Sequence, residues 1–152
     1  MKLCYTPHPT PYTLIPMATF PLELVTPDRL LLEENVKSIR LPGIDGSLGV
    51  MAGHAPLMTA LTIGLIKVEH ENGDIEHIAT SGGFVEISRE KVIILADTAE
   101  RASDIDLSRA EAAVARARER LNSGEAVDYD RARIALQRSI NRLKVAQSHE
   151  KE

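Results

Sequence analysis

At Asp104 the periodicity of the chain changes, and this change limits the possible folds more than any other feature. Before it, apolar residues come in short runs, often alternating, broken by Pro, Gly, Asn and Asp; after it they recur three and four residues apart. A period near two belongs to strands and one near 3.6 to helices. The expected organisation is therefore a leader over 1–19, a β-rich body over 20–103, a helical hairpin over 104–147 and a tail over 148–152, an α+β arrangement.

Within the body, Leu22–Thr26 reads as a strand ended by Pro27 and Asp28, with Leu30–Leu32 a resumption and Val36–Leu41 another strand stopped by Pro42 and Gly43. Ile63–Glu71 and Asp74–Thr80 flank Asn72-Gly73, a pair suited to the positive φ of a tight reversal. Phe84–Ser88 and Val92–Ala96 flank Arg89-Glu90-Lys91 in the same manner. Several runs carry apolar residues on both parities, which suits two packed sheets sharing an interior.

The glycine-rich segments invite a phosphate-binding reading. Gly43–Pro56 lacks the Gly-Lys-Ser/Thr ending of a phosphate loop and opens no helix, and Ser81-Gly82-Gly83 lies between strands. Close backbone approach or an unusual dihedral angle explains such glycines. His70 and His77 could meet across the hairpin, yet no HExxH spacing or cysteine cluster accompanies them, so no metal site is expected. Glu33, Glu34, Asp97, Glu100 and Asp104 form no recognisable acid–base pair, and no nucleophile stands beside a base.

The 152 residues carry a formal net charge of −4, which gives no general reason to expect nucleic acid as a partner. The single cysteine, Cys4, excludes an intrachain disulfide. The apolar runs are too short to cross a bilayer, so any membrane association is expected to be indirect. Pro7, Pro9, Pro11 and Pro16 forbid a helix in the leader, which is read as a disordered tail; Met17, just ahead of the first strand, offers a later start as the competing explanation.

Beyond Asp104, either Asp104 or Asp106 can cap a helix whose stripe is Leu107, Ala110, Val114, Ala117 and Leu121. Asn122-Ser123-Gly124 ends it. Asp128 can cap a second helix with Ala132, Leu136, Ser139, Leu143 and Ala146 on one side and Tyr129 and Ile140 near its edge. A short connector should fold the two back on each other. Arg109, Arg116 and Arg120 repeat the spacing of Arg131, Arg138 and Arg142. At roughly 100° per residue each trio falls within about 40°, a cationic ridge beside the apolar stripe. Such a ridge reads as a solvated flank paired with acids such as Glu111 and Glu119, as a protein-binding surface, or as an anion site, since planar guanidinium suits phosphate oxygens. The lack of an aromatic partner argues against single-stranded nucleic acid.

The order of these features resembles the epsilon subunit of bacterial F-type ATP synthase, called delta in mitochondria. The resemblance runs through Leu24-Val25-Thr26-Pro27-Asp28, the stretch from Gly46 to Leu57, Ser81-Gly82-Gly83-Phe84-Val85-Glu86 and the stretch from Val92 to Arg101. It implies a flattened ten-stranded β-sandwich with a two-helix carboxy-terminal domain and no active site. The implied role is a central-stalk rotor subunit that joins the gamma subunit to the ring of c subunits, peripheral to the cytoplasmic face of the bacterial inner membrane. Ser47, His54 and Met58 would be ring-side or gamma-side contacts, with Gly46 to His54 a loop near the ring; Ser47 stands where an acid is common. Ile105-Asp106-Leu107-Ser108-Arg109-Ala110 is similar to a nucleotide-binding signature of some bacterial members, joined by Glu100, Arg116, Arg138 and Arg142. That implies no required cofactor but ATP as a regulatory ligand of a compact hairpin, the arginines meeting the polyphosphate and Asp106 and Glu100 holding adenine, ribose or the arginines. An extended hairpin would contact the alpha and beta subunits and inhibit. A free-standing hairpin adaptor and, more remotely, a small phosphotransfer enzyme are the alternatives.

Overall fold

The computed structural model describes residues 18–123 and 128–149. The proposed leader and tail, apart from their described margins, and the Gly124 breaker lie outside the described residues. Seven strands come first: β1 (Phe20–Val25), β2 (Leu30–Gly43), β3 (Gly46–Met51), β4 (Leu57–His70), β5 (Ile75–Ile87), β6 (Val92–Ala96) and β7 (Ala99–Arg101). A single 3-10 turn, Ala102–Asp104, leads to helices α1 (Leu107–Asn122) and α2 (Tyr129–His149).

The strands pair in the order β1-β6-β5-β4-β2-β3, and β1 also pairs with β2, so the sheet closes on itself; β7 pairs with the first half of β5. All pairings are antiparallel except β1 with β6. Closure leaves one interior. Leu22, Leu24, Leu41, Ile66, Ile78 and Ile94 in that interior are all but inaccessible to solvent.

The expectation of ten strands becomes seven among the described residues, for a definite reason. Three strands are 13 or 14 residues long, and each changes its buried parity midway. In β2, Leu32 and Val36 point inward and then Ile39 and Leu41, the change falling at a register shift between Val36 and Ser38. In β4 the inward set passes from Leu61 to Ile66 and Val68, and in β5 from Ile78 to Val85 and Ile87. A one-residue offset turns a strand's other face to the core. Divided at these points, seven continuous strands give ten half-length segments, which is why the runs carry apolar residues on both parities.

The β5 change falls on Gly82 and Gly83, at φ +119° and +134°; a Cβ on Gly83 would stand 2.1 Å from Leu95 O. Both proposed reasons for glycine, unusual angle and close approach, apply here. Gly73, at φ +93°, turns the β4–β5 hairpin. That hairpin is longer than the sequence pattern indicates, pairing as far as Leu57 with Ile87. The stretch expected as a loop from Gly46 to His54 is largely β3, paired with Ser38–Gly43. Gly46, at φ +127°, and Gly53, at φ +81°, mark turns at either end of it, and Val50 is buried as an ordinary inward residue.

Asp106, not Asp104, caps α1, accepting from Arg109 N at 2.9 Å; Asp104 ends the 3-10 turn. Asp128 accepts from Arg131 N at 3.3 Å at the start of α2. Ala110 and Val114 are the buried part of the α1 stripe. The helices pack on each other, and α2 is the one that packs on β4, β5 and the 3-10 turn. The layer between hairpin and sheet consists of Ala79, Ala102, Ile105, Ala110, Val145 and Ala146, a cluster separate from the sheet's interior.

Candidate functional site

Antiparallel pairing of β7 with β5 sets Glu100 opposite Ala79, under α2. From α2, Asn141 Nδ2 donates to Gly64 O at 2.8 Å and to Thr80 O at 3.2 Å. This amide fixes a helical turn against two strands. The next residue, Arg142, donates through Nε to Glu100 Oε2 at 2.7 Å and through Nη2 to Glu100 Oε1 at 3.0 Å. The two parallel charge-assisted bonds hold the guanidinium plane in one orientation, which a lysine could not do.

Beside this pair lies a cavity of about 490 Å³ between the sheet and α2, lined among others by Arg29, Ser81, Glu100, Arg138 and Arg142. Arg138 makes no ion pair among the described residues and faces a second hollow toward Ile134 and Lys144. Two guanidinium groups from one helix on a concave surface can take an anion of phosphate type.

The sequence-predicted nucleotide residues divide. Glu100, Arg138 and Arg142 come together. Ile105 and Ala110 are buried in the layer under the hairpin, with 7% and 1% of their surface exposed, and their backbone N–H groups donate to Ala102 O and Asp106 O. The Asp106 carboxylate is engaged as a cap. Arg109 and Arg116 are exposed on α1 and line none of the five principal cavities. The expected pairing of the α1 ridge with Glu111 and Glu119 is not made: among the described residues the hairpin's ion pairs are Arg133–Asp130 and Arg142–Glu100.

Of the other candidates, Ser47 is exposed near the start of β3 and His54 is half-buried beyond its end. His54 N donates to Met51 O at 3.1 Å, and the ring Nδ1 lies 2.7 Å from Ala55 O. Met58 is 68% exposed in β4. It belongs to an apolar face that sequence reasoning missed: Phe84 and Leu95 pair across β5 and β6, 59% and 55% exposed, and Ala60 pairs with Phe84 from the other side. The signal was present, because Phe84 shares its parity with Glu86, which must face outward.

His70 and His77 border one open cavity of about 710 Å³ but serve different partners. His70 lies between Glu34, at 2.5 Å, and Glu76, at 3.3 Å, while His77 Nδ1 lies 3.1 Å from Ser148 Oγ. That hydroxyl already donates to Val145 O, so His77 is the donor of the pair. Among the described residues no group of three or more His, Cys, Asp or Glu is placed to hold a metal ion, and no helix is long and apolar enough to cross a membrane.

Lys91, among the described residues, has a clearly displaced titration. Its hydrogen bond to Glu23, at 2.9 Å, and the attraction of the same carboxylate raise its pKa above the ordinary lysine value.

The two structural units coincide with two family models. One, described as ATP synthase, Delta/Epsilon chain, beta-sandwich domain, matches residues 19–102; the other, ATP synthase, Delta/Epsilon chain, long alpha-helix domain, matches 103–147. The chain belongs to the ATP synthase delta/epsilon family. Its relatives include the ATP synthase epsilon chain of Desulforamulus reducens, 46% identical over 83% of this chain and 96% of that protein. The epsilon chain of Nitratidesulfovibrio vulgaris is 47% identical over 82% and 92%. A chain of the Euglena gracilis mitochondrial ATP synthase, solved as OSCP/F1/c-ring, has the same fold at a TM-score of 0.74 and 24% identity, covering 98% of this chain and 91% of that one. As an epsilon-type member of the family, the chain is a non-catalytic subunit of ATP synthase, and the phosphotransfer reading is set aside.

Proposed function

We propose that this epsilon-type subunit sits in the central stalk, where its β-sandwich joins the gamma subunit to the c ring and its hairpin is an ATP-responsive brake on hydrolysis. The stalk position is consistent with the Tetrahymena thermophila structure titled central stalk/cring, which shares the fold at a TM-score of 0.54 and 14% identity. Membrane association would then be peripheral, through the ring, at the cytoplasmic face of the bacterial inner membrane. Met58, Phe84 and Leu95 supply an apolar face for gamma, and Ser47 and His54, at opposite ends of β3, are candidate ring-side contacts. Asp substituted for both Met58 and Phe84 should abolish co-purification with gamma while leaving the folded spectrum intact; unchanged co-purification would remove this face from the proposal.

The observation that carries the regulatory reading is the Glu100–Arg142 pair on a cavity shared by hairpin and sheet. Glu100 holds Arg142 in place with part of its guanidinium still free, and Arg138 adds a second cation. Arg109, Arg116 and the first turn of α1, with Ile105, Asp106 and Ala110, complete the candidate set. No nucleophile or general base is needed, because ATP acts as a signal: it favours the docked hairpin only so far as it binds docked better than extended. The extended hairpin would lay its arginines against the alpha and beta subunits. Titrating the full chain with ATP while following amide NMR signals tests this. Saturable shifts centred on the helices and β7 should be lost in Arg142→Ala, whereas an unchanged spectrum at millimolar ATP would defeat the sensor and leave the stalk role standing.

A further inference from the structure

The cavity beneath α2 has one wall that the helical signature does not touch. Thr26 and Arg29 close the β1–β2 turn with three hydrogen bonds. Thr26 N and Thr26 Oγ1 donate to Arg29 O at 2.9 and 3.0 Å, and Arg29 N donates to Thr26 Oγ1 at 3.2 Å. The backbone of Arg29 is thereby fixed at the cavity's edge.

Most side-chain donors around this cavity are already committed. A hydroxyl has one hydrogen and a side-chain amide two. Thr26 gives its hydrogen to Arg29 O, Thr80 to Gly82 O at 3.1 Å, and Thr98 to Ser81 Oγ at 2.7 Å. Asn141 uses both of its hydrogens on Gly64 O and Thr80 O. What remains is the hydroxyl hydrogen of Ser81, Nη1 of Arg142, and the guanidinium groups of Arg29 and Arg138, which make no ion pair among the described residues. Every one of these is a donor and three are cationic. Glu100 and Arg142 cancel each other's charge, which leaves Arg29 and Arg138 against Asp28 among the lining residues.

We propose that Arg29, with the Ser81 hydroxyl, is the sandwich's half of a polyphosphate site that Arg138 and Arg142 complete from the second helix. A nucleoside triphosphate is then gripped by both domains at once. Resting on the ATP reading above, this gives it a mechanism: lifting α2 separates Arg138 and Arg142 from Arg29 and divides the cradle, so affinity falls with undocking. A site confined to the helices would carry no such dependence on the sandwich.

The test uses the full chain titrated with ATP by amide NMR, with inorganic tripolyphosphate as a second probe. Arg29→Ala should weaken ATP binding about tenfold, the size of one charge-assisted hydrogen bond, and tripolyphosphate should lose its ability to compete. Asp28→Asn should tighten binding about threefold by removing a like charge from the rim. Spectra of the unliganded variants that match the wild type away from the turn show that the fold is kept. Arg142→Ala serves as the control for the nucleotide reading itself. If it abolishes binding while Arg29→Ala stays within twofold of wild type, the two-domain cradle is wrong and the helical site stands. Weaker binding in Asp28→Asn also counts against the cradle, and a wild-type chain that ignores millimolar ATP removes both.

Discussion

The interior of the sheet and the layer beneath the hairpin are both buried, but they are built from different residues. The first is almost entirely Leu, Ile and Val, with Phe20 and Ala96; the fully buried part of the second is mostly Ala, with Ile105 and Val145 the large members and Leu65, Leu107 and Leu143 only partly buried at its margin. Full burial of a Leu or Ile contributes about 1.5–3 kcal/mol, against about 0.8 per methylene-sized group. An alanine layer can therefore be close-fitting and still open at much lower cost than the sheet can. On the proposed function, a coupling domain that stays folded and a regulatory hairpin that releases would be separated in this way by side-chain volume. Polar struts at Asn141, Arg142 and His77 then decide where the hairpin rests.

The comparison can be broken most directly from the sheet side. Leu24→Ala, at a position with no exposed surface, should cost about 2–5 kcal/mol in denaturant unfolding, and the hairpin should lose its footing together with the strands. A cost below about 1 kcal/mol would mean that the interior is looser than its composition implies. The smaller test is Val145→Ala in the docking layer, expected to cost about 1–2 kcal/mol of docking alone. Hydrogen exchange should quicken in α1 and α2 and stay unchanged in the strands. Equal acceleration in both would show one cooperative unit and erase the contrast.

The smallest effect belongs to Lys91 and Glu23, which tie the β5–β6 turn to β1 on the sheet side only. Because the folded pKa of Lys91 is raised, the pair's contribution is fully present below the unfolded lysine value and is lost as pH rises through the folded one. Melting curves between about pH 10 and 12 should show a slight decline that Glu23→Gln removes. Hairpin docking, followed by exchange in α2, should be indifferent to this substitution.

What could be read in the sequence was whatever acts over a few residues. The Asn72-Gly73 reversal, a first-helix cap at one of Asp104 and Asp106, the Asp128 cap and the α1 stripe depend on neighbours one to four positions away, and each is found, whereas the α2 stripe as read omitted the buried Val145. The outward parity of Phe84 was legible too, through Glu86, though its significance needed Leu95 and Ala60 beside it. Tertiary structure alone decided which half-strands fuse into β2, β4 and β5, because a mid-strand parity change looks like a strand end until the partner ladder is known. It also decided that Arg142, among the described arginines of the two ridges, is the one held in an ion pair. Arg142 meets a carboxylate 42 residues away and Asn141 a carbonyl 77 residues away. No periodicity encodes such distances, because they follow from the closure of the whole sheet and the seating of α2 on it.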